Sequence, residues 1–354
     1  MAGRLHRRER TTSDLVKEVR SVTKSEPKSL DLEPRFEQMV SAGSTWLDLA
    51  ISGGRVPGGG IPGGIFVEIF GPASSGKTAI LAEICASIQA AGGQVKFLDP
   101  EGRLDKEYSR IYGLTLPKDD YVMPDTVTEV FEEHIWPWKP KQDKVMNCVA
   151  VDSLAALSTQ MEMDDADKMG MRRAKEFSQS LRKSCRLINQ RNWLVPCTNQ
   201  IRQSQYGVNT PGGEAIKFYS SLRIQVKQVE EIKKSVAIAA KGEGVKAVVA
   251  EKVIGVKSTC KIVKSSVDDP YREANIYILF GYGLDDVRGN LQFLKDKTGV
   301  SKYDAITKSF QSMDYAIKHI EKNDLEGQLK EKVITLWGEI EKKFESNRKP
   351  KVRG

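Results

Sequence analysis

An α/β fold is predicted, with a mostly parallel central sheet, a short helical segment ahead of it and a small helical domain after it. Three observations predict it. Short apolar runs, Phe66 to Phe70, Val95 to Asp99, Asn147 to Asp152, Trp193 to Asn199 and Leu222 to Val226, alternate with helical stretches. The segment GPASSGKT, Gly71 to Thr78, stands between the first of these runs and a helical one, Ala79 to Ala91. Beyond Gly283 the pattern turns helical and charged, with Met313, Ile317 and Ile320 on one spacing and Val333, Leu336 and Ile340 on another.

The bulk numbers agree with a main core carrying smaller appendages. The chain has 354 residues, 40% hydrophobic and 29% charged, enough apolar material for a substantial core. A net charge of +8 favours an anionic partner such as nucleic acid, although solvated lysines give the same balance. Cys85, Cys148, Cys185, Cys197 and Cys260 are scattered, without the paired spacing of a zinc site or disulfide framework, and read as reduced, mostly buried thiols. No apolar run is long enough to span a membrane, and the arginine-rich start lacks the apolar stretch of a secretory signal. A cytoplasmic protein without membrane attachment is expected.

Along the chain, residues 1–40 form a basic segment in which Thr12 to Val22 can make a helix capped by Thr12 or Ser13. The stretch GGRVPGGGIPGG, Gly53 to Gly64, is too rich in glycine and proline for regular structure and reads as a loop. The core is expected over 41–282. Its later part holds two β-rich runs, Ser258 to Lys264 and Ala274 to Phe280, after a Gly/Lys/Ala segment around 233–252 that reads as a hairpin or surface excursion. A C-terminal domain over 283–343 and a basic tail over 344–354 complete the chain, with no internal repeat.

The strand, loop and helix context of Gly71, Pro72, Ala73, Ser74, Ser75, Gly76, Lys77 and Thr78 is that of a phosphate-binding loop. Successive backbone N–H groups and the helix N-terminus would face the β-phosphate. Lys77 would neutralise β- and γ-phosphate oxygens, and the Thr78 hydroxyl would coordinate Mg²⁺. ATP and Mg²⁺ are therefore the expected cofactors. Asp152 ends an apolar strand where it would hold the magnesium shell through water, although an Asp at a strand end is common. Glu101 follows VKFLD at the carboxyl edge of the sheet, where a carboxylate can orient or deprotonate attacking water. Taken alone, it reads more readily as a solvated loop acid.

In chain order the sequence contains SAGSTWLDLAI, EIFGPASSGKT, FLDPEGRLDKEY, VAVDSLAAL, NQIRQSQYG and GGEAIKFYSSLRI. With these it resembles the RecA recombinase family of bacteria and their phages, over roughly Val40 to Lys343. The resemblance implies a RecA-type P-loop ATPase core. It also implies that Glu101 activates water, that Asp105 and Tyr108 contact adenine, Tyr108 by stacking, and that Gln200 senses the γ-phosphate. Lys264 matches one of two lysines that reach the γ-phosphate of a neighbouring subunit. The second position falls on Ser266, which is uncharged, so weaker transition-state stabilisation is expected.

Two further segments are implied to line a filament axis, Asp164 to Lys175 and Gln203 to Gly213. The first offers Met169, Gly170, Arg172, Arg173 and Lys175, with Arg182 on the following helix; its cations can neutralise phosphates. The second offers Arg202 and Gln203 at its start, Tyr206 to stack on or wedge between bases, and Gly212 and Gly213 for close approach to phosphate. Lys217 and Phe218 match positions near the subunit boundary. For each segment an ordinary solvated loop is the plain alternative, as a packed core aromatic is for Phe218. The resemblance implies a homologous recombination and repair protein that forms a helical homo-oligomeric filament on single-stranded DNA, searches duplex DNA and exchanges strands with DNA-stimulated ATP hydrolysis. Single-strand-binding or mediator proteins are further expected partners. A catalytically weak RecA paralogue acting as a DNA scaffold or mediator, and a RecA-core helicase, are the alternatives.

Overall fold

The computed structural model describes residues 38–142, 144–159, 171–204, 207–238, 248–346 and 348. The helix expected over Thr12 to Val22 and most of the basic tail lie outside them. β1 (Met39–Val40) pairs antiparallel with β2 (Ile61–Pro62), a short strand inside the stretch whose composition marks it as loop. Between them α1 (Thr45–Ser52) starts at Ser44, whose hydroxyl accepts from Leu47 N, and buries every residue. Then come β3 (Ile65–Gly71), α2 (Lys77–Ala90), β4 (Val95–Leu98), α3 (Lys106–Ile111), β5 (Tyr121–Val122), a π-helical segment (Glu129–Ile135) and β6 (Cys148–Val151). α4 (Met171–Gln190) leads to β7 (Leu194–Gln200), the hairpin β8 (Arg202–Ser204) and β9 (Gly207–Asn209), and α5 (Gly213–Tyr219). β10 (Leu222–Ile238), β11 (Val248–Ser265), β12 (Glu273–Leu279) and β13 (Gly283–Leu284) finish the core.

Among the described residues nine strands form one sheet in the order β13-β12-β11-β10-β3-β7-β6-β4-β5. From β10 to β5 all pairings are parallel, and β11 to β13 extend the β10 edge antiparallel. Parallel neighbours need crossovers, which α2 and α4 supply. β3 and β6 are buried throughout and β7 in all but Gln200, which explains why they read as continuous apolar runs. Phe66, Val149 and Val195 from the sheet pack with Phe131, Phe177 and Leu181 in one cluster. α2 buries Ile80, Leu81, Ile84 and Ile88.

β10 and β11 are much longer than expected. Only Leu222 to Gln225 pair with β3 and only Gly255 to Lys261 with β12, so their remainder is a two-stranded ribbon standing off the sheet. Lys233, Lys234, Val236 and Val249 are exposed there. With no face to bury, the alternation that signals a strand is lost.

After the sheet come α6 (Asp286–Thr298), the hairpin β14 (Tyr303–Asp304) and β15 (Ser309–Phe310), α7 (Met313–Lys322) and α8 (Glu326–Phe344). Asp285 caps α6 by accepting from Arg288 N, and Gly299 ends it at φ 71°. The buried seam runs through Ala316, Ile320, Leu329, Val333 and Trp337, with Leu336 and Ile340 half-buried beside it. Trp46 meets Phe293 edge-on at 5.2 Å, and Phe293 lies 6.1 Å from Trp337, joining α1 to α6 and α8. Among the described residues no helix is long and apolar enough to cross a membrane.

Candidate active site

The carboxyl ends of the parallel strands open onto a cavity of about 590 Å³, the edge at which open α/β sheets place ligands. Gly71 to Thr78 turn from β3 into α2. Gly76 sits at φ 96°, and a Cβ there would stand 2.2 Å from Ile278 Cδ1. The backbone conformation demands glycine, and a Cβ would also require the Ile278 methyl to move. Ser75 Oγ donates to Pro72 O at 2.9 Å, and Ser258 Oγ on β11 donates to Ser75 O at 2.9 Å, which pins the loop. Gly76 offers no side-chain cap, leaving the first N–H groups of α2 to an anion.

Lys77 is buried, and its Nζ donates to Pro72 O at 2.6 Å. Burial lowers its pKa, against the pull of the Asp152 and Glu101 charges. Thr78 Oγ1 donates to Asp152 Oδ2 at 2.7 Å, and Thr198 Oγ1 donates to Asp152 Oδ1. Burial raises the Asp152 carboxyl, and these hydroxyls hold the rise back. The Asp152–Ser153 peptide is cis. Glu101 Oε1 accepts from Ser153 Oγ, Gln200 Nε2 reaches the same oxygen at 3.5 Å, and Arg103 Nε lies 2.8 Å from Oε2.

The adenine-side expectations divide. Asp105 is the N-cap of α3, its Oδ1 accepting from Tyr108 N at 2.7 Å, and it is not among the residues lining the cavity. Tyr108 does line it, with its hydroxyl 3.2 Å from that of Tyr112 and the rings 5.1 Å apart. Burial raises both phenols. Sequence reading passed over Phe280, 62% exposed on the cavity wall, and Thr198 beneath Asp152. The aromatic ahead of Gly281 at a strand end, and the Thr in TNQ, were the available signals.

Lys264 is not brought to the cavity of its own chain. Its Nζ donates to Lys217 O at 2.8 Å and Phe218 O at 2.7 Å, at the end of α5. Phe218 is 74% exposed, and Lys217 pairs with Glu214 at 2.5 Å. Ser266 is exposed, and its N–H donates to Ser221 O at 2.8 Å.

Met169, Gly170 and Tyr206 lie outside the described residues, as do the side chains of Arg172, Arg202 and Gln203. Lys175 and Arg182 are exposed on α4, and Arg173 is half-buried. The second segment begins as an antiparallel hairpin, Arg202 opposite Asn209, rather than an open loop. Gly212 and Gly213 have a packing reason. A Cβ on Gly212 would meet Ile216 Cδ1 at 2.2 Å, and one on Gly213 would meet Ala174 Cβ at 3.1 Å. Behind them, Asn199 Nδ2 donates to Glu68 Oε1 at 2.9 Å and to Pro211 O at 3.0 Å, while Arg223 Nε pairs with Glu68 Oε2 at 2.6 Å. The charge inside the apolar run IFVEIF was the signal for this buried network.

A larger groove of about 810 Å³, around the end of α2, Gln94 and Asp120, shares only Tyr112 with the described lining of the nucleotide cavity. The family model for the RecA N-terminal domain matches residues 29–285. Protein RecA of Ruminococcus albus is 33% identical over 259 residues, covering 71% of this chain and 59% of that protein. Protein RecA of Borreliella afzelii is 31% identical over 326 residues, 86% of this chain and 83% of its own. Protein RecA of Rippkaea orientalis is 31% identical over 317 residues, 84% and 83% respectively. Together with a parallel sheet that carries a phosphate loop, these matches show that the chain belongs to the RecA family of recombinases.

Proposed function

We propose that this protein is an ATP-dependent recombinase that polymerises on single-stranded DNA as a helical filament, pairs it with homologous duplex and exchanges strands. The observation that carries the reading is the contact between Glu101 and Gln200. The carboxylate at the phosphate end of the cavity touches the last residue of β7, two positions before the β8–β9 hairpin begins. Nucleotide state and hairpin are thereby joined through one side chain.

The residues present fit a magnesium nucleotide. A hydroxyl and a carboxylate oxygen 2.7 Å apart suit a hard cation, so Thr78 and Asp152 would hold Mg²⁺. Bound there, Mg²⁺ supplies electrophilic polarisation of phosphate oxygens. Gly71 to Gly76 cradle the phosphates, and Lys77 exchanges the Pro72 carbonyl for β- and γ-oxygens. Tyr108 and Phe280 flank the base, and Asp105 acts by fixing the start of α3. Glu101 accepts the proton of the attacking water, and Gln200 reports the γ-phosphate to the hairpin. Lys264 leaves its carbonyls for the γ-phosphate of a neighbouring subunit, across a boundary formed with Lys217 and Phe218.

The DNA surface combines Arg173, Lys175 and Arg182 with Met169, Gly170, Arg172, Arg202, Gln203, Tyr206, Gly212 and Gly213. Phosphate contacts of this kind carry little sequence preference, so homology is read by base pairing between the strands. Residues 1–40 dock subunits, 41–282 form the ATPase core, and 283–343 form a module for duplex DNA. The setting is cytoplasmic, with single-strand-binding or mediator proteins as partners. ATP hydrolysis measured with and without poly(dT), alongside electron microscopy of the same mixtures, tests the reading. Stimulated turnover with helical filaments is expected; DNA-independent turnover without filaments would sink it.

A further inference from the structure

Gly102 separates Glu101 from Arg103 at φ 61°, a left-handed turn after which the two side chains meet. Their ion pair is lopsided. Arg103 is 76% exposed and Glu101 only 12%. An exposed guanidinium on a long stem holds such a partner weakly and exchanges it readily.

The carboxylate meanwhile has partners on both oxygens. Oε1 faces Ser153 and Gln200, and Oε2 faces Arg103. In this state an attacking water must compete with these neighbours for the lone pairs that remain on Glu101. Arg103 also lines an adjoining space of about 320 Å³ shared with Glu101, Ala155, Ala156 and Gln200, beyond the phosphate end of the nucleotide cavity. Among the described residues lining the nucleotide cavity, the cations are Lys77 and Arg103. Phosphoryl transfer spreads negative charge over the γ-oxygens, and cations placed around them lower the barrier.

We propose that Arg103 is a catalytic residue of this ATPase, a guanidinium from the same chain that leaves Glu101 for the γ-phosphate when ATP binds. One movement clears Oε2 of Glu101 and adds a second cationic side chain of the same chain to Lys77. Water oxygen then attacks the γ-phosphorus while the bond to the bridging oxygen breaks. The electron pair leaves on the β-phosphate of ADP, and the water proton passes to Glu101. ADP lacks the γ-phosphate, so with ADP bound Arg103 stays on Glu101. The inference rests on Glu101 being the water-activating base.

The test uses the full chain with Arg103→Ala, Arg103→Lys and Glu101→Gln, measuring kcat and KM on poly(dT) and titrating ATPγS and ADP by fluorescence. Arg103→Ala is expected to lower kcat about 10²-fold. It should weaken ATPγS about tenfold and leave ADP within about twofold, the loss of one charge-assisted contact. Arg103→Lys should fall between, and added guanidinium should restore part of the Arg103→Ala rate but none of the Glu101→Gln rate. The proposal is overturned by Arg103→Ala turnover equal to or faster than the parent, since a mere shield on Glu101 would act as a brake. It is equally overturned if ATPγS and ADP weaken together. Unchanged turnover in Glu101→Gln removes the base itself, and the ATPγS-to-ADP ratio then judges Arg103 separately. Should the alanine variant not fold, Arg103→Lys carries the same two readouts.

Discussion

At the loop end of the nucleotide cavity Lys77 is buried and the side-chain donors Lys77 and Thr78 have short acceptors, Pro72 O at 2.6 Å and Asp152 Oδ2 at 2.7 Å. At the Glu101 end the guanidinium is exposed and the Gln200 amide stands 3.5 Å off. The backbone of the first end is preorganised, so binding there asks little beyond the exchange of partners at Lys77. The second holds contacts that a γ-phosphate can replace. A site that must both retain a nucleotide and respond to its hydrolysis has reason to be rigid at one end and exchangeable at the other.

The comparison breaks most visibly at Lys77. Lys77→Ala should leave nucleotide-dependent DNA binding and turnover below detection, measured by ATP hydrolysis and filter binding; retained turnover would mean that the rigid end is not the phosphate site. Glu101→Gln should separate the two ends, keeping ATP-stabilised DNA binding while turnover falls about 10²-fold or more. Glycine substitutions sharpen the contrast in stability. Gly76→Ala should cost about 2–3 kcal/mol in chemical denaturation, because strain adds to the clash with Ile278. At Gly102 a Cβ meets only Met123 Sδ at 3.5 Å, so Gly102→Ala should cost about 1 kcal/mol. Equal losses would deny that the ends differ in rigidity.

The smallest effect is expected at Glu83 on α2. Burial pushes its carboxyl from 4.5 up to about 7, partly offset by the Leu284 N–H and reinforced by Asp286. The folded chain therefore keeps a proton that the unfolded chain releases. Its contribution is complete below the ordinary carboxylate range and is lost as pH rises through about 7. Asp48, also raised to about 7 by burial, titrates in the same window. Glu83→Gln should flatten the decline in thermal midpoint over that window by about 2–4 °C, and an unaltered pH profile would exclude Glu83 as a source.

What was legible in the sequence follows the same division. The phosphate loop is contiguous, and its backbone cradle demands glycine at fixed offsets, so Gly71 to Thr78 and the strand and helix around it could be read directly. Asp152 and Gln200 were legible as polar ends of apolar strands. Thr198, Phe280 and Arg103 were harder to read, because they reach the cavity from separate elements, and a Thr in TNQ or an aromatic ahead of Gly281 gains meaning only once the sheet brings those elements together. Asp105 has a capping duty that one sequence cannot distinguish from a ligand contact. The outer part of β10 and β11 was legible as a hairpin or surface excursion but not in its strand lengths, because exposed residues there lack the period of two that betrays a strand.

Asn199 has a consequence for how this family can vary. Its amide joins the buried Glu68 to Pro211, clasping the chain into a closed loop with one foot on the sheet at β7 and the other tied to it ahead of α5. Once the feet are anchored, lengthening such a loop is cheap, about 0.6 kcal/mol for each doubling. Insertions or deletions between residues 200 and 210 can therefore accumulate without disturbing the nucleotide pocket. The clasp ties Pro211 to Asn199 whatever lies between them, so a change of length there is expected to leave the chemistry beneath it in register.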